Sequence, residues 1–237
     1  MTGEAGHETI VVIDFGSQYS MLIARRVREL SVYCEVVSHT APWEQIEKLN
    51  PRGFILSGGP SSVFEDGAPL APPWAIDSRR PVLGICYGMQ LLAHQLGGKV
   101  APSGAREYGP AVIYKADADE SSIFSGLPSS IPVWMSHGDK VTELPEGFQT
   151  LASSDNSPVA AMGNHRGVIG IQFHPEVVHT PYGQHVLTHF LRDVCGCDMT
   201  WSAASIVEEQ IERIRAQVGD GKVICGLSGG VDSSVAA

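Results

Sequence analysis

Pro81-Val82-Leu83-Gly84-Ile85-Cys86-Tyr87-Gly88-Met89-Gln90-Leu91-Leu92 joins a short apolar run to a helical one, with a cysteine at the joint. Met89, Leu92, Ala93 and Leu96 fall at i, i+3, i+4 and i+7, and Gly97-Gly98 ends the pattern. A buried strand therefore turns sharply into a helix at Cys86. Gly84 and Gly88 stand two residues to either side, which suits a corner too tight for Cβ atoms. A thiol at a helix N-terminus meets unpaired N–H groups and the positive end of the dipole, both of which favour thiolate. Cys86 is thus read as a nucleophile.

The segments before this corner repeat its pattern. Thr9-Ile10-Val11-Val12-Ile13 is a continuous apolar run, as expected for a parallel strand covered on both faces. Helical spacing follows through Tyr19, Leu22, Ile23, Val27 and Leu30, then a strand over 34–37 and a helix over 43–49. Gly53 to Ser57 is the next buried strand. This alternation predicts right-handed βαβ units in a doubly wound, mostly parallel α/β sheet. Between Lys99 and Ser154 helical periodicity gives way to short β-rich runs, among them 111–114, 132–135 and 149–152. Runs at 158–162 and 168–173 continue the pattern, so an antiparallel β flank is expected beside the parallel core. Residues 182–194 read as a closing helix. Residues 201–217 read as an amphipathic helix before a fresh strand at 223–227, and the chain stops at Ala237. The expected organisation is a first domain over 1–196, a linker helix over 197–221, and a truncated second domain opening at 222–237.

Composition narrows the partners. With 26 acidic against 16 basic residues the net charge is −10, which disfavours nucleic acid as a ligand. No apolar run reaches the roughly 18–20 residues of a membrane helix, and the first eight residues are too polar for a signal peptide. Five scattered cysteines (Cys34, Cys86, Cys195, Cys197 and Cys225) form neither a disulfide framework nor a paired zinc motif. A reducing, cytoplasmic setting is expected.

Ligands of parallel sheets collect at the carboxyl ends of strands, and three such ends carry chemistry here. They are Ser57-Gly58-Gly59-Pro60, Cys86 and His174-Pro175-Glu176. Cys86 with His174 would supply nucleophile and base, and Glu176, chosen over an aspartate by adjacency, would orient the imidazole. Gly58-Gly59 is either a plain turn or, with the Tyr87 N–H at the helix start, a source of oxyanion donors. Ser136-His137-Gly138-Asp139 is either a turn or a loop lining a substrate pocket. His185 and His189, with His179 near, have metal-compatible spacing, but no further ligand joins them in a recognisable pattern, so no metal is expected. Ser228-Gly229-Gly230-Val231-Asp232-Ser233-Ser234 is glycine-rich between strand and helix, which suits phosphate, but it lacks the lysine of a Walker A loop.

The heptapeptide Gly84 to Gln90, taken with His174-Pro175-Glu176, resembles the triad (class I) glutamine amidotransferases, which implies a flavodoxin-like core. Asp14 to Tyr19, Ser57 to Ser62 and Trp134 to Asp139 narrow the resemblance to the family of glutamine-hydrolysing GMP synthases, and Ser228 to Ser234 is similar to the pyrophosphate loop of N-type ATP pyrophosphatases. The resemblance implies Cys86, His174 and Glu176 as the triad, and Gly59 and Tyr87 as the oxyanion hole. It implies Gln90, Ser136, His137 and Asp139 around bound glutamine, so the polar segment becomes a pocket wall. Ser228, Gly229, Gly230, Val231, Asp232, Ser233 and Ser234 would be a remnant ATP-binding loop. Hydrolysis would need no cofactor. The complete synthase would use ATP and Mg to aminate XMP and would be a homodimer. The rivals are a γ-glutamyl peptidase-like cysteine hydrolase and an amidotransferase subunit silent without its synthase partner.

Overall fold

The computed structural model describes residues 8–77, 79–116, 123–202, 211, 214–219 and 221–222. They divide into two compact units, Met1–Trp201 and Ser202–Ala237. In the first, β1 (Thr9–Asp14), α1 (Ser20–Glu29), β2 (Tyr33–Ser38), α2 (Trp43–Glu47), β3 (Pro51–Leu56), α3 (Pro73–Ile76), β4 (Val82–Ile85) and α4 (Tyr87–Gln95) alternate as the apolar runs predict. Then come β5 (Lys99–Lys115), β6 (Ser130–Glu143), β7 (Gln149–Ser154), β8 (Ala161–Gly163) and β9 (Val168–Ile171), and last α5 (Gly183–His189).

Among the described residues nine strands form one sheet in the order β2-β1-β3-β4-β9-β8-β7-β5-β6. Pairing is parallel from β2 through β9 and antiparallel from β9 to β6. The apolar run of β1 explains the layering. Ile10 and Val12 pack on one face with Ile23, Ala24 and Val27 of α1. Val11 and Ile13 pack on the other with Met89 and Leu92 of α4. A strand buried on both sides has no polar face to present, hence no alternation. From β1 the chain steps outward to β2 and then back across to β3, so a crevice opens at the carboxyl ends of β1 and β3.

The flank departs from its expected form. The short runs at 111–114 and 132–135 are the adjoining ends of two long strands, the last part of β5 and the first part of β6, paired Ala111 to Val133 and Ile113 to Ile131. Ser136 to Asp139 is neither a turn nor a loop. It lies within β6, with Ser136 opposite Tyr108 and His137 opposite Glu107. Polar side chains disguise a strand paired with β5 on both sides of a register shift, which falls between His137 opposite Glu107 and Asp139 opposite Pro102. The closing helix begins as α5 and finishes as a π-helical turn over Phe190–Val194, where the Cys195 N–H reaches back to the Phe190 carbonyl at 2.9 Å.

Trp201 still belongs to the first unit, its N–H donating to the Ser31 carbonyl at 2.9 Å. In the second unit residues 214–218 are helical, and the Gly219 N–H closes on the Arg215 carbonyl. The rest of the expected linker helix and the Ser228 to Ser234 loop lie outside the described residues. Among the described residues no helix is long and apolar enough to cross a membrane.

Candidate functional site

Four parallel strands deliver backbone to one crevice. At the end of β4, Cys86 adopts φ 54° and ψ −106°, a torsion that side-chain-bearing residues rarely hold. Its N–H donates to the Ile171 carbonyl of β9 at 2.8 Å, and its own carbonyl accepts from Gln90 N–H at 3.2 Å. The corner is close because both flanking glycines are bare. A Cβ on Gly84 would stand 2.6 Å from the Gly88 carbonyl group, and one on Gly88 would stand 2.4 Å from the Leu56 oxygen. The Cys86 Sγ lies 3.4 Å from the Ser136 carbonyl oxygen and 3.7 Å from the Gln172 amide nitrogen.

Beyond β9, His174 is almost wholly buried and Glu176 wholly so. The His174 Nδ1 and Glu176 Oε1 are 2.7 Å apart. The Arg26 Nε of α1 donates to the Glu176 carbonyl at 2.9 Å, and the Tyr19 ring lies 5.2 Å from the His174 ring. Burial pulls the His174 imidazolium down, but the Cys86 sulfur and the Glu176 carboxylate outweigh it and raise its pKa to about 10. With Nδ1 turned to Glu176, Nε2 is the nitrogen left for proton transfer, and it has no hydrogen-bond partner among the described residues.

Two cavities meet at the thiol and share Gly59, Pro60, Cys86 and Ser136 in their walls. One, of about 280 Å³, is bounded by His174 and the turn Gly16 to Tyr19. Asp14 holds that turn, its Oδ1 accepting from Gly16 N–H at 3.0 Å and the Ser20 hydroxyl at 2.6 Å. The other, of about 350 Å³, is bounded by Tyr87, Gln90, His137 and Asp139, with Glu65 and Tyr108 at its wall. Gly59 lies against the Tyr87 ring. Among the described residues neither the Gly59 nor the Tyr87 N–H has an acceptor. Two unspent amides flanking a thiol are what an oxyanion requires.

The second cavity is held by side chains. Gln90 spends its amide NH2 on the Asp139 carbonyl at 2.9 Å and the Gln172 Oε1 at 3.3 Å. The Ser62 hydroxyl donates to Asp139 Oδ2 at 2.6 Å. Buried His137 has the Asp139 carbonyl oxygen 2.9 Å from Nδ1 and Glu107 Oε2 3.0 Å from Nε2. Burial is the largest influence on His137 and lowers its pKa, against the pull of the Glu107 carboxylate.

All nine described candidates for triad, oxyanion hole and glutamine pocket border these two cavities or, for Glu176, back the histidine that does. Gln172, Ser62 and Glu107 were not singled out in the sequence. A glutamine inside the apolar run Val168 to Phe173 was a readable signal, since a fully buried polar side chain needs a reason. Glu107 carried none, and Ser62 stood only as the last residue of the Ser57 to Ser62 motif. His185 and His189 lie apart from the crevice-lining residues: their Nε2 atoms are 2.9 Å from one another, and His189 Nδ1 is paired with Asp193. Among the described residues no group of three or more His, Cys, Asp or Glu is arranged to hold a metal.

Over 234 residues the chain is 58% identical to a protein of Dehalococcoides mccartyi named GMP synthase [glutamine-hydrolyzing], covering 99% of this chain and 44% of that one. A protein of the same name from Thermomicrobium roseum is 57% identical, over 97% of this chain and 43% of the relative. The chain thus spans less than half the length of these relatives. Among solved structures, a protein of Thermoplasma acidophilum described as one subunit of a GMP synthase superposes with a TM-score of 0.70 at 30% identity, covering 88% of this chain and all of the other. A glutamine amidotransferase of Thermotoga maritima aligns with a TM-score of 0.63 at 18% identity, over 80% of this chain and 98% of its own, which bears on the fold alone. Residues 11–194 match the family glutamine amidotransferase class-I, a span that holds both cavities and every group described around the thiol. By that match, and by the cysteine corner it encloses, the chain belongs to the class-I glutamine amidotransferases.

Proposed function

We propose that this chain hydrolyses glutamine to glutamate and ammonia, and that the ammonia serves an ATP-dependent amination of XMP to GMP carried by the remainder of a GMP synthase. The observation that carries the first part is Cys86, held at a strained corner where the cavity bordered by His174 meets the cavity bordered by Gln90 and Asp139. The second part is supported by relatives more than 50% identical across nearly the whole chain that bear the name GMP synthase [glutamine-hydrolyzing].

In the first half-reaction the Cys86 thiolate attacks the side-chain amide carbon, and the carbonyl oxygen becomes an oxyanion facing the Gly59 and Tyr87 N–H groups. The His174 imidazolium gives its Nε2 proton to the amide nitrogen. The carbon–nitrogen bond breaks, ammonia leaves, and a γ-glutamyl thioester remains on Cys86. In the second half-reaction neutral His174 takes a proton from water, hydroxide adds to the thioester, and the thiolate departs with glutamate as product. Glu176 stabilises each imidazolium state. Gln90, Ser136, His137 and Asp139 line the place of the substrate's amino-acid end. Hydrolysis needs no cofactor. ATP and Mg enter only with the synthase half, to which Ser228 to Ser234 belongs, and the complete enzyme is read as a cytoplasmic homodimer.

A diazoketone analogue of glutamine tests the reading even where turnover is slow. It should modify Cys86, located by peptide mass spectrometry, with glutamine protecting. Cys86→Ala should remove both labelling and glutaminase activity, a loss of at least about 10⁴-fold, with the fold retained by circular dichroism. Undiminished ammonia release by that variant would overturn the proposal.

A further inference from the structure

Beyond Ile171 the β9 ladder ends, yet His174, three residues on, must still be held to a fraction of an ångström. Glu176 fixes only the ring. The backbone is fixed by a closed circuit of three hydrogen bonds that the mechanism above does not use. The His174 N–H donates to the Trp134 carbonyl of β6 at 3.0 Å. The Trp134 N–H donates to the Thr180 hydroxyl at 3.1 Å. That hydroxyl in turn donates to the His174 carbonyl at 2.6 Å. We propose that Thr180 is a positioning residue, whose buried hydroxyl bridges β6 to the His174 backbone and so sets where the imidazole stands relative to Cys86.

Three features carry this. Thr180 is 4% exposed, so its hydroxyl is not a solvated surface group. It both donates and accepts, and among side chains of this size only a hydroxyl can do both well. The β-branched side chain also has restricted χ1 freedom, which keeps the bridge pre-formed. The strand it reaches is significant too. Trp134 is two residues before Ser136, whose carbonyl oxygen lies 3.4 Å from the Cys86 sulfur. One stretch of β6 therefore gauges both members of the nucleophile–base pair, and Thr180 is the piece that ties the base to it. Without the hydroxyl, the buried His174 carbonyl and the part-buried Trp134 N–H would both lose that partner.

The inference rests on the glutamine-hydrolysis reading, so its test includes a readout independent of turnover. In the whole chain, the His174 ring titration followed by NMR should fall by about one pH unit in Thr180→Val, because a displaced imidazole loses contact with Cys86 and Glu176. Thr180→Ser should titrate like the wild type. In glutamine hydrolysis, Thr180→Val should lower kcat about 10- to 100-fold with KM within about twofold, and Thr180→Ser should recover most of it. Should the valine variant not fold, Thr180→Cys, similar in size and a poor hydrogen-bonding group, takes its place with the same expectations. A valine or cysteine variant with wild-type titration and kcat overturns the inference, as does a serine variant impaired equally with valine. An inactive wild type, or an active Cys86→Ala, would overturn the parent reading instead and leave the titration to decide the role of Thr180.

Discussion

The five parallel strands and the four antiparallel strands furnish the crevice in different ways. The parallel strands act through their tips. Gly59, Cys86 and His174 all stand just past a strand end, placed by backbone turns and by glycines that permit close approach. The antiparallel flank acts through the interior of one strand, where Ser136, His137 and Asp139 project from β6 and are steadied by Ser62, Gln90 and Glu107. Groups placed by backbone have almost no room to adjust. Groups placed by side-chain hydrogen bonds can shift and still function. Damage to the two regions should accordingly differ in kind, abrupt on one side and graded on the other.

Gly88→Ala should break the parallel side outright. Its Cβ would enter the Leu56 carbonyl at 2.4 Å, a backbone atom that cannot swing aside, and urea denaturation should show a loss of at least about 3 kcal/mol. Glu176→Gln leaves the corner intact but removes the charge that helps hold the imidazolium. We expect kcat to fall about 100-fold. It also tests a pH dependence. Folded His174 keeps its proton up to about pH 10, against an ordinary value of 6.5, so the folded state binds the extra proton within that window. The associated stability is fully present below pH 6.5 and is lost as pH rises toward 10. The decline in melting temperature across this range should be shallower in Glu176→Gln than in the wild type.

On the flank, Glu107→Gln keeps the shape beside His137 and removes the carboxylate charge that faces it. KM for glutamine should rise about 3- to 10-fold with kcat nearly unchanged, since only the wall of the second cavity softens. Gly138→Ala sits at the gentle end. Its nearest neighbour would be the Tyr108 hydroxyl at 4.0 Å, so stability should stay within about 0.5 kcal/mol of wild type. Equal costs for Gly88→Ala and Gly138→Ala would dissolve the distinction between the two regions.

The same contrast governs what could be read from the sequence. Apolar runs buried on both faces, the glycines around Cys86, and His174-Pro175-Glu176 are local patterns, and local patterns are legible. β6 was not, because Ser136-His137-Gly138-Asp139 has a turn's composition and only its pairing with β5 makes it a strand. The roles of Glu107 and Ser62 were unreadable for a related reason. Each acts on a residue dozens of positions away, Ser62 on Asp139 and Glu107 on His137, across a register that spacing cannot supply. Thr180 was hidden likewise, as an ordinary polar residue in a polar stretch whose worth comes from its reach to Trp134.

The backbone torsion at Cys86 has a consequence for how such a site persists. At φ 54° and ψ −106° the residue is the mirror image of an ordinary extended one, free of strain for glycine but costing about 1–3 kcal/mol for a side-chain-bearing residue. Cys86→Gly should therefore melt a few degrees above the parent, about 2–4 °C, while being inert. Stability alone would favour the dead enzyme. A thiol retained at that torsion is a standing opposition between endurance and chemistry, written into a single pair of backbone angles.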